Sequence, residues 1–164
     1  MTTAAPQLAD TQLLGAYAKS RDAQAFAELA RRYAGLVYGT ALRITRSDAD
    51  AQDVSQECFL RLARQAHRIQ PPLAAWLHLA ARSRAIDCLR RSAARRKHER
   101  DASGEEAARL SEWEAIQPHI DAAIAELPED LRDLITRHYL VGVSQTELAA
   151  LPGHPRAADL TVVT

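Results

Sequence analysis

The sequence predicts an all-α protein. Apolar residues recur at spacings of three and four along most of the chain, and no segment alternates with period two long enough to indicate a strand. With 164 residues, 47% apolar and 26% charged, the chain has the composition of a soluble globular protein of one modest domain or two small ones. No uninterrupted apolar run approaches the roughly 20 residues of a membrane helix, so membrane insertion is not expected.

The first third of the chain predicts three amphipathic helices. Asp10 and Asp22 are expected to cap the first and the second, and Ser47 with Asp50 to begin the third. Each helix carries an apolar stripe that predicts its core-facing side. The stripes are Leu13, Leu14 and Tyr17; Phe26, Leu29, Tyr33, Leu36 and Val37; and Ala51, Val54, Cys58 and Leu62.

A fourth helix is predicted after Pro71 and Pro72, with Leu73, Leu77 and Ala80 on its apolar side. Trp76 lies in the same stripe. A single tryptophan at this spacing is more often a core residue than a base-stacking platform, and the core interpretation is favoured. Cys58 and Cys88 lie on separate helices without metal-ligand spacing, so reduced and mostly buried thiols are expected rather than a disulfide or metal site.

The segment from Leu127 to Leu151 predicts the start of a helix-turn-helix. Pro128 suits a first helical position, and Gly142 ends the helix that follows it. The expected apolar stripe of that helix is Leu131, Leu134, Ile135, His138 and Tyr139. Ser144 and Glu147 form a capping box that begins a second helix. The helix-turn-helix residues are Ser144, Gln145, Thr146 and Glu147.

A DNA-reading third helix is not expected after Leu151. Pro152, Gly153 and Pro155 stand in its place, and two prolines within four residues cannot lie inside one regular helix. The sequence therefore predicts a helix-turn-helix domain over 116–151 that lacks its recognition helix, followed by an irregular tail over 152–164.

Charge divides the chain although the net charge is zero. Residues 82–100 hold eight basic and two acidic side chains, and residues 101–135 hold ten acidic and two basic ones. This reversal over a Ser/Gly/Glu-rich stretch predicts a linker at 97–115, with a helical domain at 8–96 before it. The basic block is a candidate phosphate-binding strip, and a solvated helix end is the competing interpretation.

Three segments together resemble a known family. SDADAQDVSQECFLRLAR, PPLAAWLHLAARSRAIDCLRRSAARR and LPEDLRDLITRHYLVGVSQTELAAL stand in the order found in the bacterial sigma factors of RNA polymerase, in the small extracytoplasmic-function group. The resemblance covers about residues 10–151. It implies a region 2 domain that binds the polymerase clamp and opens the minus-ten element. It also implies a region 4 domain that reads the minus-thirty-five element and touches the polymerase flap.

The resemblance also assigns residues. On the helix from Asp48 to Arg64, the residues implied to bind polymerase are Asp53, Gln56 and Glu57; an ordinary solvated helix face is the alternative. The residues implied to bind promoter DNA are Arg82, Ser83, Arg84, Asp87, Arg90, Arg91, Arg95 and Arg96. Ser83 stands where many relatives carry Asn, and Asp87 is expected to pair with a neighbouring arginine within the helix.

The first functional hypothesis is therefore a cytoplasmic sigma factor that directs promoter-specific initiation. Core RNA polymerase and promoter DNA are its expected partners, and an anti-sigma factor is a further candidate. The alternative is a truncated, non-transcribing decoy that occupies polymerase or an anti-sigma factor, and a third hypothesis is a helical DNA-binding regulator unrelated to polymerase. The six histidines lack metal-ligand spacing, and the sequence shows no catalytic constellation. Enzyme activity is therefore not expected, nor is a metal, a cofactor or a small-molecule substrate.

Overall fold

The computed structural model describes residues 9–70, 72–100 and 112–149, and every regular element within these ranges is helical. In chain order the elements are α1 (Asp10–Ser20), α2 (Ala23–Thr45), α3 (Asp48–Gln65), α4 (Leu73–Arg100), α5 (Glu112–Glu126), α6 (Glu129–Ile135), a π-helical segment (Thr136–Val141) and α7 (Gln145–Ala149). The prediction of an all-α protein is confirmed. No helix in the described ranges combines the length and apolarity that crossing a membrane requires.

Helices α1 to α4 form a bundle, called the N-terminal bundle below, with α2 at its centre. Helix α2 packs against α1, α3 and α4, and its predicted stripe residues Leu29, Leu36 and Val37 are fully buried. The predicted α3 stripe, Ala51 to Leu62, is buried as well. The stripes predicted this core correctly because each faces a neighbouring apolar helix over several turns.

Two of the three predicted N-caps are confirmed. The Asp22 carboxylate accepts hydrogen bonds from the amides of Gln24 and Ala25 at 2.9 and 3.2 Å, and the Ser47 hydroxyl accepts one from Asp50 at 3.2 Å. The prediction for Asp10 was wrong. Ala9 occupies the cap position and Asp10 is the first helical residue, buried, with its carboxylate directed at arginines from other helices.

Helices α5 to α7, with the π-helical segment, form the C-terminal unit, and its predicted apolar stripe is not its buried side. Tyr139 is 71% exposed and Leu131 39% exposed, whereas Asp133 and Thr136 are buried. Leu134, Ile135 and His138 are intermediate. Asp133 accepts a hydrogen bond from Arg137 one helical turn later, and Arg137 in turn contacts Asp10 of the bundle, a long-range pairing that local periodicity does not reveal.

The turn before α7 follows the sequence prediction. Gly142 ends the π-helical segment with φ 86°, a conformation that glycine adopts without steric penalty. The Glu147 carboxylate accepts from the Ser144 amide at 2.9 Å, and the Glu147 amide donates to the Ser144 hydroxyl at 3.3 Å, so the capping box is confirmed. The predicted loss of a recognition helix and the tail at 152–164 fall outside the described residues.

The predicted linker at 97–115 is described in part. Helix α4 continues to Arg100 and α5 begins at Glu112, so the middle of that range, 101–111, lies outside the described residues.

Candidate functional site

Helix α3 presents an exposed polar face. Asp53 and Gln56 are exposed, and Glu57 is half-buried beside them. The opposite side of the same helix is occupied by Val54 and Cys58, which are buried in the bundle core. The amphipathic pattern of α3 therefore fixes which side can receive a partner, and the three predicted polymerase-binding residues lie on the accessible side or at its edge.

Helix α4 carries the arginine strip, defined here as the arginines between Arg82 and Arg95. Arg90, Arg91 and Arg95 are exposed, as is Ser83 among them. Arg82 and Asp87 are intermediate. Asp87 lies 3.7 Å from Arg90 across one helical turn, as the sequence predicted. The side chain of Arg96 lies outside the described residues.

An ion pair joins the two candidate surfaces. The Arg84 Nε atom lies 3.4 Å from the Glu57 Oε2 atom, and both side chains are 41% exposed. This contact arises because α3 and α4 pack against each other in the bundle. The predicted polymerase-binding residue Glu57 and the predicted DNA-binding residue Arg84 thus form one continuous charged surface, which the sequence did not predict.

The two cysteines lie beneath this surface and are reduced. Burial raises the pKa of Cys58 to about 11, and the charge of Arg84 opposes that increase. Burial and the nearby Asp50 carboxylate raise the pKa of Cys88. Both thiols are therefore mostly protonated at neutral pH. Cys58 is buried as predicted, whereas Cys88 is only partly buried.

Trp76 contributes to the core, as predicted. Its side chain is half-buried against the bundle core, and the Arg61 guanidinium lies 5.4 Å from the ring centroid in a cation–π contact. The indole is thereby sandwiched between core and guanidinium, which leaves it poorly placed to stack on a base.

The helix-turn-helix residues Ser144, Gln145, Thr146 and Glu147 are all exposed. Hydrogen bonds from the Ser144 hydroxyl and amide lower the pKa of Glu147, so its carboxylate stays ionised at the start of α7. These residues shape the beginning of a short helix.

The sequence missed a buried charged cluster between the bundle and the C-terminal unit. The Asp121 carboxylate of α5 accepts from Arg43 Nε and Nη2 at 2.9 and 2.8 Å and lies 3.0 Å from His78 Nε2. Asp121 and His78 are both 0% exposed. We call Arg43, His78 and Asp121 the Asp121 cluster. Burial raises the pKa of Asp121, but the hydrogen bonds from His78 and Arg43 outweigh burial and hold the pKa below its ordinary value.

A second cluster joins α1 and α2 to the π-helical segment. Asp10 accepts from Arg32 at 2.6 Å and lies 2.9 Å from Arg137 Nη2, and Arg137 also donates to Asp133 at 2.8 Å. The Tyr33 hydroxyl donates to the same Asp10 carboxylate, and burial together with that carboxylate raises the pKa of Tyr33. We call this group the Arg137 cluster.

The Asp121 cluster leaves no local pattern in the sequence, because Arg43 and Asp121 are separated by 78 positions. The Arg137 cluster leaves a weak one, since Asp133, Thr136, Arg137 and Leu140 recur at helical spacing beside the predicted apolar stripe. Among the described residues, no group of three or more His, Cys, Asp or Glu side chains is placed to hold a metal ion.

Comparisons with known proteins agree with this geometry. The family model "Sigma-70 region 2" matches residues 29–96, the range that contains α3 and the arginine strip, and this assigns the N-terminal bundle to the sigma-70 class. The chain is 31% identical over 151 residues to "ECF RNA polymerase sigma factor RpoE" of Cereibacter sphaeroides, covering 87% of this chain and 82% of that protein.

Two further relatives carry related names. "RNA polymerase sigma factor CarQ" of Myxococcus xanthus is 32% identical over 142 residues, covering 83% of this chain and 82% of that protein. "ECF RNA polymerase sigma factor SigE" of Mycolicibacterium smegmatis is 28% identical over 137 residues, covering 77% and 52%. The chain belongs to the extracytoplasmic-function (ECF) group of RNA polymerase sigma factors.

Proposed function

We infer that this protein acts as a sigma factor in transcription initiation, as its family membership indicates. Within that role we propose that α3 binds core RNA polymerase and that the arginine strip of α4 binds minus-ten promoter DNA. The observation that carries the proposal is the adjacency of an exposed acid and amide face on α3 to exposed arginines on α4, joined by the Glu57–Arg84 ion pair.

The chemistry of each surface suits its proposed partner. Asp53 and Gln56 offer a carboxylate and an amide to basic and polar groups of a protein surface, which sets orientation and specificity. Arg90 and Arg91 offer guanidinium groups that hold strand phosphates and release counterions on binding. Neither surface requires a cofactor, and sigma factors regulate transcription without a catalytic reaction of their own.

For the C-terminal unit we propose the region 4 role of contacting the polymerase flap. Because its helix-turn-helix is predicted to lack the recognition helix, reading of the minus-thirty-five element is expected to be weak or lost. An anti-sigma factor is a proposed further partner, and the cytoplasm is the proposed location because polymerase and promoter DNA reside there. The non-transcribing decoy is the alternative that the following experiment separates from a working sigma factor.

Polymerase binding is tested with the double substitution Asp53→Ala and Gln56→Ala. Co-elution of the purified chain with bacterial core polymerase should be lost or strongly reduced, and run-off transcripts should fall with it. Gln24→Ala, which removes an exposed amide from α2, is the control and should behave as wild type. Unchanged co-elution of the double variant would reject the α3 assignment, and wild-type binding without transcripts would favour the decoy.

DNA binding is tested with Arg90→Gln and Arg91→Gln. Each phosphate contact contributes about 0.9 to the slope of log K against log salt on duplex DNA and about 0.7 on single strands, so losing two contacts should flatten the slope by about 1.4–1.8. The holoenzyme should be titrated with labelled promoter DNA at several salt concentrations. Arg31→Gln with Arg46→Gln removes two exposed arginines from α2 and its C-terminus and should leave the slope unchanged. An unaltered slope in the Arg90/Arg91 variant would exclude the strip.

A further inference from the structure

Two carboxylates of different origin lie against the arginine strip. Asp87 belongs to α4 itself and lies 3.7 Å from Arg90. Glu57 belongs to α3, and its Oε2 atom lies 3.4 Å from Arg84 Nε. Within the described part of the chain, Glu57 and Arg84 are each other's ion-pair partner. One guanidinium of the strip is therefore neutralised from a helix to which we assign a different partner.

The packing of α3 on α4 places negative charge along this edge of the strip. The Cys88 thiol, four positions after Arg84, forms a hydrogen bond with the Asp50 carboxylate of α3. Asp50 and Glu57 both raise the pKa of Cys88, and Arg91 opposes them. Positions 50 and 57 are two helical turns apart and so lie on one side of α3. That side of α3 faces α4 over two turns.

Glu57 is also accessible from the proposed polymerase face. It lies beside Asp53 and Gln56, which are exposed, and its own side chain is 41% exposed. Each carboxylate oxygen accepts more than one hydrogen bond, so a partner's cation can pair with Glu57 while Arg84 is still close. Arg84 is 41% exposed as well, so it can turn to solvent without disturbing the core.

We propose that Glu57 restrains Arg84 in the free chain and that polymerase binding at α3 releases Arg84 for promoter DNA. This coupling rests on the proposed function for the identity of both partners, and it adds that the two binding events favour each other. By linkage, DNA bound to Arg84 should in turn favour polymerase binding through Glu57. Glu57 is thus a positioning residue for a DNA contact that it does not itself make.

The size of the coupling follows from the exposure of the pair. Partly solvated ion pairs are weak, so the expected gain in affinity is up to about fivefold. One additional guanidinium on the strand should steepen the slope of log K against log salt by about 0.7–0.9. The slope separates a released arginine from a general change in folding, because a merely structural role would not add a phosphate contact.

The test measures promoter-DNA affinity for the free full-length chain and for the holoenzyme at saturating core polymerase, by fluorescence anisotropy at several salt concentrations. Glu57→Gln should raise the affinity of the free chain by up to about fivefold and steepen its salt slope. In the holoenzyme this gain should disappear, because polymerase already occupies Glu57. Asp87→Asn should give the same gain in both states, since Asp87 pairs within α4 and lies outside the proposed polymerase face.

Glu28→Gln is the matched control for loss of negative charge. Glu28 pairs with Arg31 of α2 at 2.7 Å, outside the strip, so this change should leave the DNA affinity of the free chain unaltered. A gain as large as that of Glu57→Gln would show that charge alone is responsible and would reject the role of Glu57.

The remaining outcomes separate the coupling from the proposed function. Equal gains from Glu57→Gln in the free chain and in the holoenzyme would overturn the coupling and leave the DNA-binding strip in place. A free chain whose affinity and salt slope do not respond to Glu57→Gln would show that Arg84 is not restrained. The proposed function fails by other variants, namely Asp53→Ala with Gln56→Ala for polymerase and Arg90→Gln with Arg91→Gln for DNA.

Discussion

The N-terminal bundle and the C-terminal unit are both helical, but they are held together by different interactions. In the bundle, α2 is surrounded by apolar stripes, and Leu29, Leu36 and Val37 are almost completely removed from water. The C-terminal unit meets the bundle through Asp121, Arg137 and their partners, and Leu140 and Val141 add partly buried apolar contacts. The bundle is therefore expected to be rigid through packing, whereas the position of the C-terminal unit depends to a larger extent on charge.

The largest effect is expected from a cavity in the bundle. Leu29 is 0% exposed at the centre of α2, and Leu29→Ala should lower the free energy of unfolding by about 2–5 kcal/mol. Urea denaturation followed by circular dichroism measures the change. Leu42→Ala lies on the same helix with its side chain exposed, and it should change stability by less than about 0.5 kcal/mol. Equal effects of the two substitutions would contradict the view that packing around α2 holds the bundle.

The contrast also explains how much the sequence could predict. The stripe of α3, Ala51 to Leu62, was predicted correctly because apolar burial follows local period. The stripe of Leu131 and Tyr139 was wrong because contacts with α2 and α4, which are remote in sequence, decide which side of this segment packs against the bundle, and that side carries Leu140 and Val141. The candidate surfaces on α3 and α4 came from the family resemblance, whereas the Glu57–Arg84 pair that joins them required the packing of two helices to be seen.

The next prediction concerns how stability depends on pH, and it tests the charged contacts between the two regions separately from apolar packing. The pKa of Asp121 is lower in the folded protein, so its carboxylate stabilises the contact between the C-terminal unit and the bundle. That stabilisation is complete above the unfolded pKa of about 3.9 and is lost as pH falls through the folded value. Urea denaturation recorded from pH 7 to below pH 3 should show the stability of wild type falling only below about pH 3.9.

Asp121→Asn is the control for this pH dependence because it cannot ionise at that position. It should already be less stable than wild type at pH 7, and its stability should fall less than that of wild type below about pH 3.9. If the variant and wild type lose stability in parallel, the acid response arises elsewhere in the molecule. Leu29→Ala should lower stability by a similar amount at every pH, which separates packing from charge.

A smaller effect on stability is expected from removing a helix cap, and it can be compared between the two regions. Asp22→Ala removes the cap of α2 and should destabilise the bundle by about 0.5–2 kcal/mol. Ser144→Ala removes half of the capping box of α7, a helix of 5 residues. Its effect on the main urea transition should be smaller, because α7 contributes little to the packing of the bundle. Equal shifts of that transition would show that the two regions unfold as one unit and would weaken the contrast.

The smallest effect on stability is expected at the surface where α3 meets α4. The Glu57–Arg84 pair is 3.4 Å long and partly solvated on both sides, so Glu57→Gln should change the free energy of unfolding by less than about 1 kcal/mol.

The effect of Glu57→Gln on DNA affinity should be larger than its effect on folding, because the glutamate neutralises a guanidinium that the proposed function assigns to promoter contact. Glu57→Gln should therefore increase the affinity of the isolated chain for promoter DNA and steepen its salt dependence, measured by fluorescence anisotropy. Gln52→Ala, an exposed change on the same helix, supplies the comparison. If combining Arg84→Gln with Glu57→Gln abolishes the gain in DNA affinity, the two residues act through each other. Polymerase groups that bind Glu57 would by the same route release Arg84 for DNA.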